Sequence, residues 1–442
     1  MVGIVERIPP ALQAIFGPVA DEAAKRCGFI RRERGFSGSE FVRALVFGWL
    51  ARPHAAIESL AETLGISGSG LQQRLATSAV ECLRLVLFEA VPRVMSSRSA
   101  RIPLLAKFTG VYVEDCSTVS LPAALADQFP GCGNGDGQSG QAALRLFVSY
   151  ELKSGTLHHL AIARGRGSDA VIAQDHAPEL PRGALRIRDM GFFDRRLLAA
   201  DEAAGIYWIS RVPAGLTLRT TDGPPQPVHE FLAERPAEVR RIDQWLWIGG
   251  TDNGGQPLWC RFLAVRCPAE VAARRRQKVH ETARRKGRAA SRRQLALCDW
   301  TVMITSVPAE MLTLEQAWEL YCARWQIELL FKRWKSLGGI QLSTDLKPAR
   351  VLCELYAKLL GMLVAHWFTL IRGGPLEGFS VTKAIRRIQD RASRLADALR
   401  HPDRLPDLID EIRTIIQRLP RQPRRKQSPS TRQRLFSSRL VA

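Results

Sequence analysis

At 442 residues the chain exceeds the usual span of one hydrophobic core, so two or three domains are expected, and 46% hydrophobic residues leave no difficulty in burying their cores. A formal net charge of +21 and a pI near 10.3 call for a polyanionic partner, nucleic acid ahead of an acidic membrane surface. Nine scattered cysteines, none spaced as Cys-x2-Cys or beside a histidine at zinc-ligand spacing, exclude a zinc ribbon and suit a reducing compartment.

The N-terminus lacks the basic-then-apolar order of a signal peptide, so an intracellular protein is expected. Apolar spacing through residues 41–47 and 83–88 predicts helices. Between them, residues 59–75 place Ala61 inside a first helix, Gly65 at a turn, and Leu71 and Leu75 in a second, as helix-turn-helix packing requires. Gly68 and Gly70 weaken the start of a recognition helix, and any short helical hairpin reads alike.

From Phe108 the texture turns to strands. Val111 and Val113 alternate up to Asp115, a Gly-rich loop spans 131–140, and residues 143–152 and 156–163 flank the turn Lys153-Ser154-Gly155 as a hairpin. Ser168 is placed to cap a helix running to Gln174, Leu185 and Ile187 mark a strand up to Asp189, a helix starts near Phe193, and a strand covers 206–209. The fold class is α/β, because strand, hairpin, helix, strand, helix, strand is the order of an RNase H-like mixed sheet flanked by helices.

Residues 213–298 interrupt that order and read as an inserted β-rich subdomain, with strands around 244–248 and 259–265. Its run from Arg274 to Arg293 holds ten Lys or Arg residues against one acid, Glu281. A helix over 314–336 follows, with Thr313 and Gln316 spaced as a capping box. The apolar stretch 355–371, broken by Lys358 and His366, reads as too short and too polar to span a membrane. Helices are expected over 352–370 and 383–399, and a disordered basic tail from Pro420. The domains implied are a helical DNA-binding domain at 1–105, a catalytic domain at 106–370, and a helical C-terminal region with its tail at 371–442.

Cutting and joining phosphodiester bonds with two metal ions needs a few converging carboxylates. Asp115 and Asp189 each end an alternating strand in phase with its buried residues, so neighbouring strands would present both together. Taken singly, each aspartate is as well read as a turn or capping residue. Gly191, two positions past Asp189, offers a place for close approach. On a helical wheel Tyr321, Arg324, Glu328 and Lys335 fall within roughly 60° of one another, beside an apolar face of Leu320, Ala323, Ile327, Leu330, Phe331 and Trp334. That stripe is either a functional surface or a salt-bridge ladder.

The run Tyr321-x2-Arg324-x3-Glu328-x6-Lys335 resembles, without gaps, the signature of bacterial transposases in the insertion-sequence-four family. Asp115-Cys116-Ser117-Thr118 looks like that family's first-aspartate motif, and Asp189-Met190-Gly191-Phe192-Phe193 is similar to its second. The resemblance implies a catalytic triad of Asp115, Asp189 and Glu328 holding two Mg2+ ions, for which Mn2+ can substitute. It also implies that Tyr321, Arg324 and Lys335 grip DNA phosphates, and that Trp300 stacks on a flipped base, although a Trp entering a strand is more often core. For the basic run, DNA-backbone contact by Arg274, Arg275, Arg276, Lys278, Arg284, Arg285 and Lys286 is weighed against a solvated helical face. The partners expected are double-stranded DNA, as transposon ends and target, and a second copy in a synaptic homodimer, with no membrane and no small-molecule substrate, in the bacterial cytoplasm at the nucleoid. The activity implied is metal-dependent cleavage and strand transfer. The rivals are an RNase H-fold endonuclease without strand transfer and a non-catalytic DNA-binding derivative.

Overall fold

Among the described residues ten strands form: β1 Val111–Ser120, β2 Ala143–Glu151, β3 Thr156–Arg164, β4 Leu185–Arg188, β5 Tyr207–Arg211, β6 Thr217–Arg219, β7 Gln226–Pro227, β8 Arg241–Ile248, β9 Leu258–Arg266 and β10 Trp300–Thr305. The structure, a computed structural model, describes residues 4–32, 35–93, 102–131, 141–250, 256–341, 343–373, 378–420 and 431–437. Most of the expected Gly-rich loop, 132–140, lies outside the described residues. The chain divides into two compact units, one of Met1–Arg101, Cys116–Gly167 and Trp325–Gln433, the other of Ile102–Asp115, Ser168–Arg324 and Arg434–Ala442. Strand β1 belongs to both, passing from the second to the first after Asp115.

In the second unit β1, β4 and β5 are parallel neighbours, and β10, β9, β8, β6 and β7 continue outward from β5 in antiparallel order. In the first unit β2 lies beside β1 and pairs antiparallel with β3, closing at Gly155, whose φ of +74° suits only glycine. These are the strands of an α/β, RNase H-like mixed sheet. The strands expected to alternate are buried on both faces, as interior parallel strands are. Val111, Val113, Leu185 and Ile187 are fully buried on one face, while Tyr112, Glu114, Arg186 and Arg188 are buried on the other. Two acids and two arginines balance there: Glu114 receives Arg186 at 3.3 Å and Arg188 at 2.7 Å, and Asp201 pairs with both arginines. Burial pushes the Asp201 carboxyl upward against the pull of Arg186 and Arg188.

The expected β-rich insertion is built onto the same sheet. Strands β8 and β9 extend the same sheet through β10, burying Leu246, Ile248, Phe262 and Trp300 around Phe231. The basic run is helical, over Ala269–Arg285 and Arg292–Ala296, because Ala, Arg, Gln and Lys are strong helix formers whatever their charge. The capping box at Thr313 is present, both of its bonds at 3.3 Å. The single helix expected from it is instead two, Leu314–Ala323 and Trp325–Ser336, parted at Arg324, whose N–H turns back to the Tyr321 carbonyl three residues earlier.

In the first unit the helices Gly38–Ala51 and Thr77–Ala90 pack on Pro348–Leu370, and Ile4–Ala14 packs on Leu405–Arg418. The hairpin of residues 59–75 appears as Ile57–Glu62 and Gly68–Arg74, turning at Gly65 with φ +66°, with Leu71 and Leu75 buried. Helix Pro348–Leu370 corrects one expectation, since its 23 residues are long and apolar enough to cross a membrane. It serves as a core helix, its most apolar window 89% buried by its neighbours. The helix expected over 383–399 breaks into Val381–Gln389 and Ala392–Ala398. Of the expected disordered tail, 421–430 lies outside the described residues, whereas Thr431–Ser437 is helical.

Candidate active site

The parallel register of β1 and β4 ends on the pair Glu114 and Arg188, so the next residue of each strand, Asp115 and Asp189, turns to the opposite face. Asp189 follows the last residue of β4 and opens the short turn Met190–Phe192. Asp115 departs from the expected strand end, because β1 runs on to Ser120 beside β2. What stops after Glu114 is its pairing with β4, which frees this face for side chains to converge.

They converge on one cation. Arg324 Nη1 lies 3.2 Å from Asp115 Oδ2 and its Nη2 3.7 Å from Asp189 Oδ2, and the Tyr321 hydroxyl donates to Asp189 Oδ1 at 2.7 Å. The Arg324 side chain is only 14% exposed and that of Asp115 16%, so this is a sheltered ion pair rather than a surface ladder. Burial would raise the Asp189 carboxyl, but the Tyr321 hydroxyl, Arg324, the Met190 N–H and Arg211 outweigh it and hold the group below its ordinary value. The Tyr321 phenol is driven up by burial and by Asp189. Gly191 keeps the turn close to the helix Asp169–His176, since a Cβ there would meet Asp169 Oδ2 at 2.5 Å.

Hard carboxylate oxygens are donors that a divalent ion such as Mg2+ can take, and here the two aspartates share the guanidinium of Arg324. No group of three or more metal-binding side chains assembles among the described residues, so the geometry that speaks for a metal is that of the aspartate pair.

Glu328 and Lys335 stand on Trp325–Ser336 in the first unit. Glu328 lies in the first turn, where the helix dipole favours an acid, and Ile327, Leu330, Phe331 and Trp334 bury the adjoining side. Lys335 is half-buried, and desolvation together with Arg145 lowers its ammonium.

Trp300 is 3% exposed within the core of the sheet extension, with the Arg266 guanidinium 4.3 Å from its ring centroid. As placed, stacking on a base would require that arginine and part of the core to move. The basic run separates into two sets. Arg275 donates to the Trp300 carbonyl at 3.0 Å and to Thr301 Oγ1 at 2.9 Å, and Arg276 pairs with Asp299 at 2.5 Å, so both brace the helix against the sheet. Arg274, Lys278, Arg284, Arg285 and Lys286 are exposed. Sequence reasoning missed the buried cluster of Glu114, Arg186, Arg188 and Asp201. Its signal was the alternation Leu185-Arg186-Ile187-Arg188, which places two cations on one face of an otherwise apolar strand.

The family described as Transposase DDE domain matches residues 107–363. Over 414 residues, 87% of this chain and 85% of the other, the chain is 28% identical to the transposase for insertion sequence element IS231C of Bacillus thuringiensis subsp. berliner. It is 23% identical over 364 residues, 78% of this chain and 76% of the other, to the transposase for insertion sequence element IS1151 of Clostridium perfringens. Over 185 residues, 40% of this chain and 48% of the other, it is 31% identical to the putative transposase InsL for insertion sequence element IS186A of Escherichia coli strain K12.

Proposed function

This chain belongs to the DDE-domain transposases, in the insertion-sequence-four family, and we propose from that premise that it cuts DNA at the ends of its own insertion sequence and joins them to a target. The observation that carries the reading is the meeting of Asp115 and Asp189 on Arg324, beside the hydroxyl of Tyr321. Asp115 and Asp189 hold the metal, Mg2+ or Mn2+, and Glu328, four residues past Arg324 in the signature, supplies the third carboxylate. The bound metal supplies Lewis-acid activation of the attacking oxygen and charge stabilisation of the leaving one.

The chain's own groups bind and orient. Arg324 is planar, always charged and already beside the carboxylates, so it is suited to turn from them to a phosphate of the bound end. Tyr321 orients Asp189 through its 2.7 Å hydrogen bond and keeps that carboxylate ionised. Lys335 grips a phosphate further along its helix, and the exposed cations from Arg274 to Lys286 follow the backbone. The hairpin of residues 57–74 reads the inverted repeats, two copies of the chain hold the two ends, and the work is done in the bacterial cytoplasm.

Asp115→Asn and Asp189→Asn each remove a charged metal ligand while keeping side-chain volume. Each is expected to bind inverted-repeat DNA within a few-fold of the unaltered protein, and to lower cleavage by about a thousandfold or more, a loss of roughly 4 kcal/mol of transition-state stabilisation. Normal cleavage by either variant would overturn the assignment. Cutting of paired ends with no joined product would leave a nuclease in place of a transposase.

A further inference from the structure

The first unit carries a second basic site that neither the signature nor the Arg274–Lys286 run includes. Helix Val381–Gln389 is sharply two-sided: Val381, Ala384, Ile385 and Ile388 are buried, and Lys383, Arg386 and Arg387 are exposed on the other side. Those three cations line a concave groove of about 720 Å³ that His54 and Ser336 also line. Asp390 is the one acid among the described residues of its lining, and it sits 3.5 Å from Arg387. Lys383 and Arg386 make no ion pair among the described residues, although other arginines of this region do, Arg391 and Arg394 both pairing with Glu411. Cations gathered in a hollow whose described acid already pairs with Arg387 repel one another unless an anion joins them.

The groove starts at a telling place. Ser336 is the last residue of the helix that carries Glu328 and follows Lys335 directly. Ser336 lies eight positions beyond Glu328, which is about 12 Å along a helix axis at 1.5 Å per residue. A DNA strand advances about 3.4 Å per nucleotide along the duplex axis, so that distance corresponds to roughly three to four nucleotides.

We propose that this groove binds the DNA backbone, with Lys383 and Arg386 holding phosphates three to four nucleotides from the bond that is cut. This rests on the reading that Glu328 stands at that bond. The groove would anchor the strand just past the end of the helix that carries the carboxylate, on a second helix tied there by the 3.0 Å hydrogen bond from the Gln389 amide to the Leu337 carbonyl, fixing its distance from the reacting phosphate whatever the base sequence.

The test uses the full-length chain and a fluorescent duplex containing one inverted-repeat end, with binding measured by anisotropy over a range of salt without divalent metal. For Lys383→Ala with Arg386→Ala, the slope of log affinity against log salt should become shallower by about 2, near 0.9 for each phosphate no longer neutralised. Phosphate-ethylation interference should vanish at the third and fourth nucleotides from the cut and persist elsewhere. The charge-keeping pair Lys383→Arg with Arg386→Lys should retain both signals, which separates a missing charge from a failure to fold. An unchanged slope overturns the proposal, as does interference that disappears at some other position. Weakened binding of free inorganic phosphate with DNA binding intact also overturns it, by making the groove a small-anion site. Because no cleavage is measured, the salt slope tests the groove whether or not Glu328 is catalytic, whereas the position of the interference also depends on Glu328 standing at the cut.

Discussion

Arg324 faces two ways: in this structure it neutralises Asp115 and Asp189, and in the proposed reaction it meets a phosphate. Arg324→Ala is therefore expected to weaken binding of an end duplex and to make its salt slope shallower by about 1, read by anisotropy, whereas an unchanged slope would assign Arg324 to the aspartates alone. Tyr321→Phe tests the other partner. Its hydroxyl helps hold Asp189 below the ordinary carboxylate value, so removing it lets that value rise, and the acid limb of the cleavage–pH profile should move to higher pH. A stationary limb would show that Tyr321 does not tune Asp189. His366, in the first unit, gives a separate pH signature. Burial lowers its imidazole to about 4 despite its 2.7 Å hydrogen bond with the Gly155 carbonyl. The unfolded chain takes up that proton near pH 6.5 and the folded chain does not, so stability should fall by about 3 kcal/mol as pH drops from 6.5 to 4. Urea midpoints of His366→Leu should lack that component; an equal fall in the variant would assign the loss to other groups.

The register of β1 against β4 sets the two aspartates side by side, and the buried cluster behind them holds that register. Glu114→Gln leaves Arg186 and Arg188 facing each other in the interior with one partner fewer, so it should cost on the order of 3–5 kcal/mol by urea denaturation. A cost below about 1 kcal/mol would mean that the cluster contributes little to the strand pair. The strands themselves were legible in the sequence, because Val111 and Val113, and Leu185 and Ile187, repeat at the period of a strand and end in the same phase. The cluster was not, since which buried acid meets which buried arginine depends on a pairing 74 residues apart. The end of β1 was misplaced for a related reason. Cys116-Ser117-Thr118 has no apolar alternation of its own and stays extended as a neighbour of β2. The break at Arg324 also lacked a signal, having neither proline nor glycine to mark it.

Across the whole chain the net charge of +21 does not settle on one face of one element. Some cations brace the fold, as Arg275 and Arg276 do, some stay exposed on the helix Ala269–Arg285, and some line the groove at Lys383 and Arg386. Composition announced a polyanionic partner but could not sort these roles, because spacing alone does not distinguish a guanidinium bonded to a backbone carbonyl from one in solvent. The packing of the N-terminal helices on Pro348–Leu370 was equally hidden, as packing between segments so far apart leaves no local trace. The signature run, by contrast, was visible at once as helical with a buried side and a polar stripe, although its division at Arg324 was not. That stripe holds the central claim, that Glu328 completes a metal-binding set with Asp115 and Asp189. The most direct measurement is Mg2+-dependent cleavage of an inverted-repeat duplex by Glu328→Gln, with binding followed on the same samples. The account predicts end binding close to that of the unaltered protein and no detectable cutting; Mg2+-dependent cutting at the ordinary rate would contradict it.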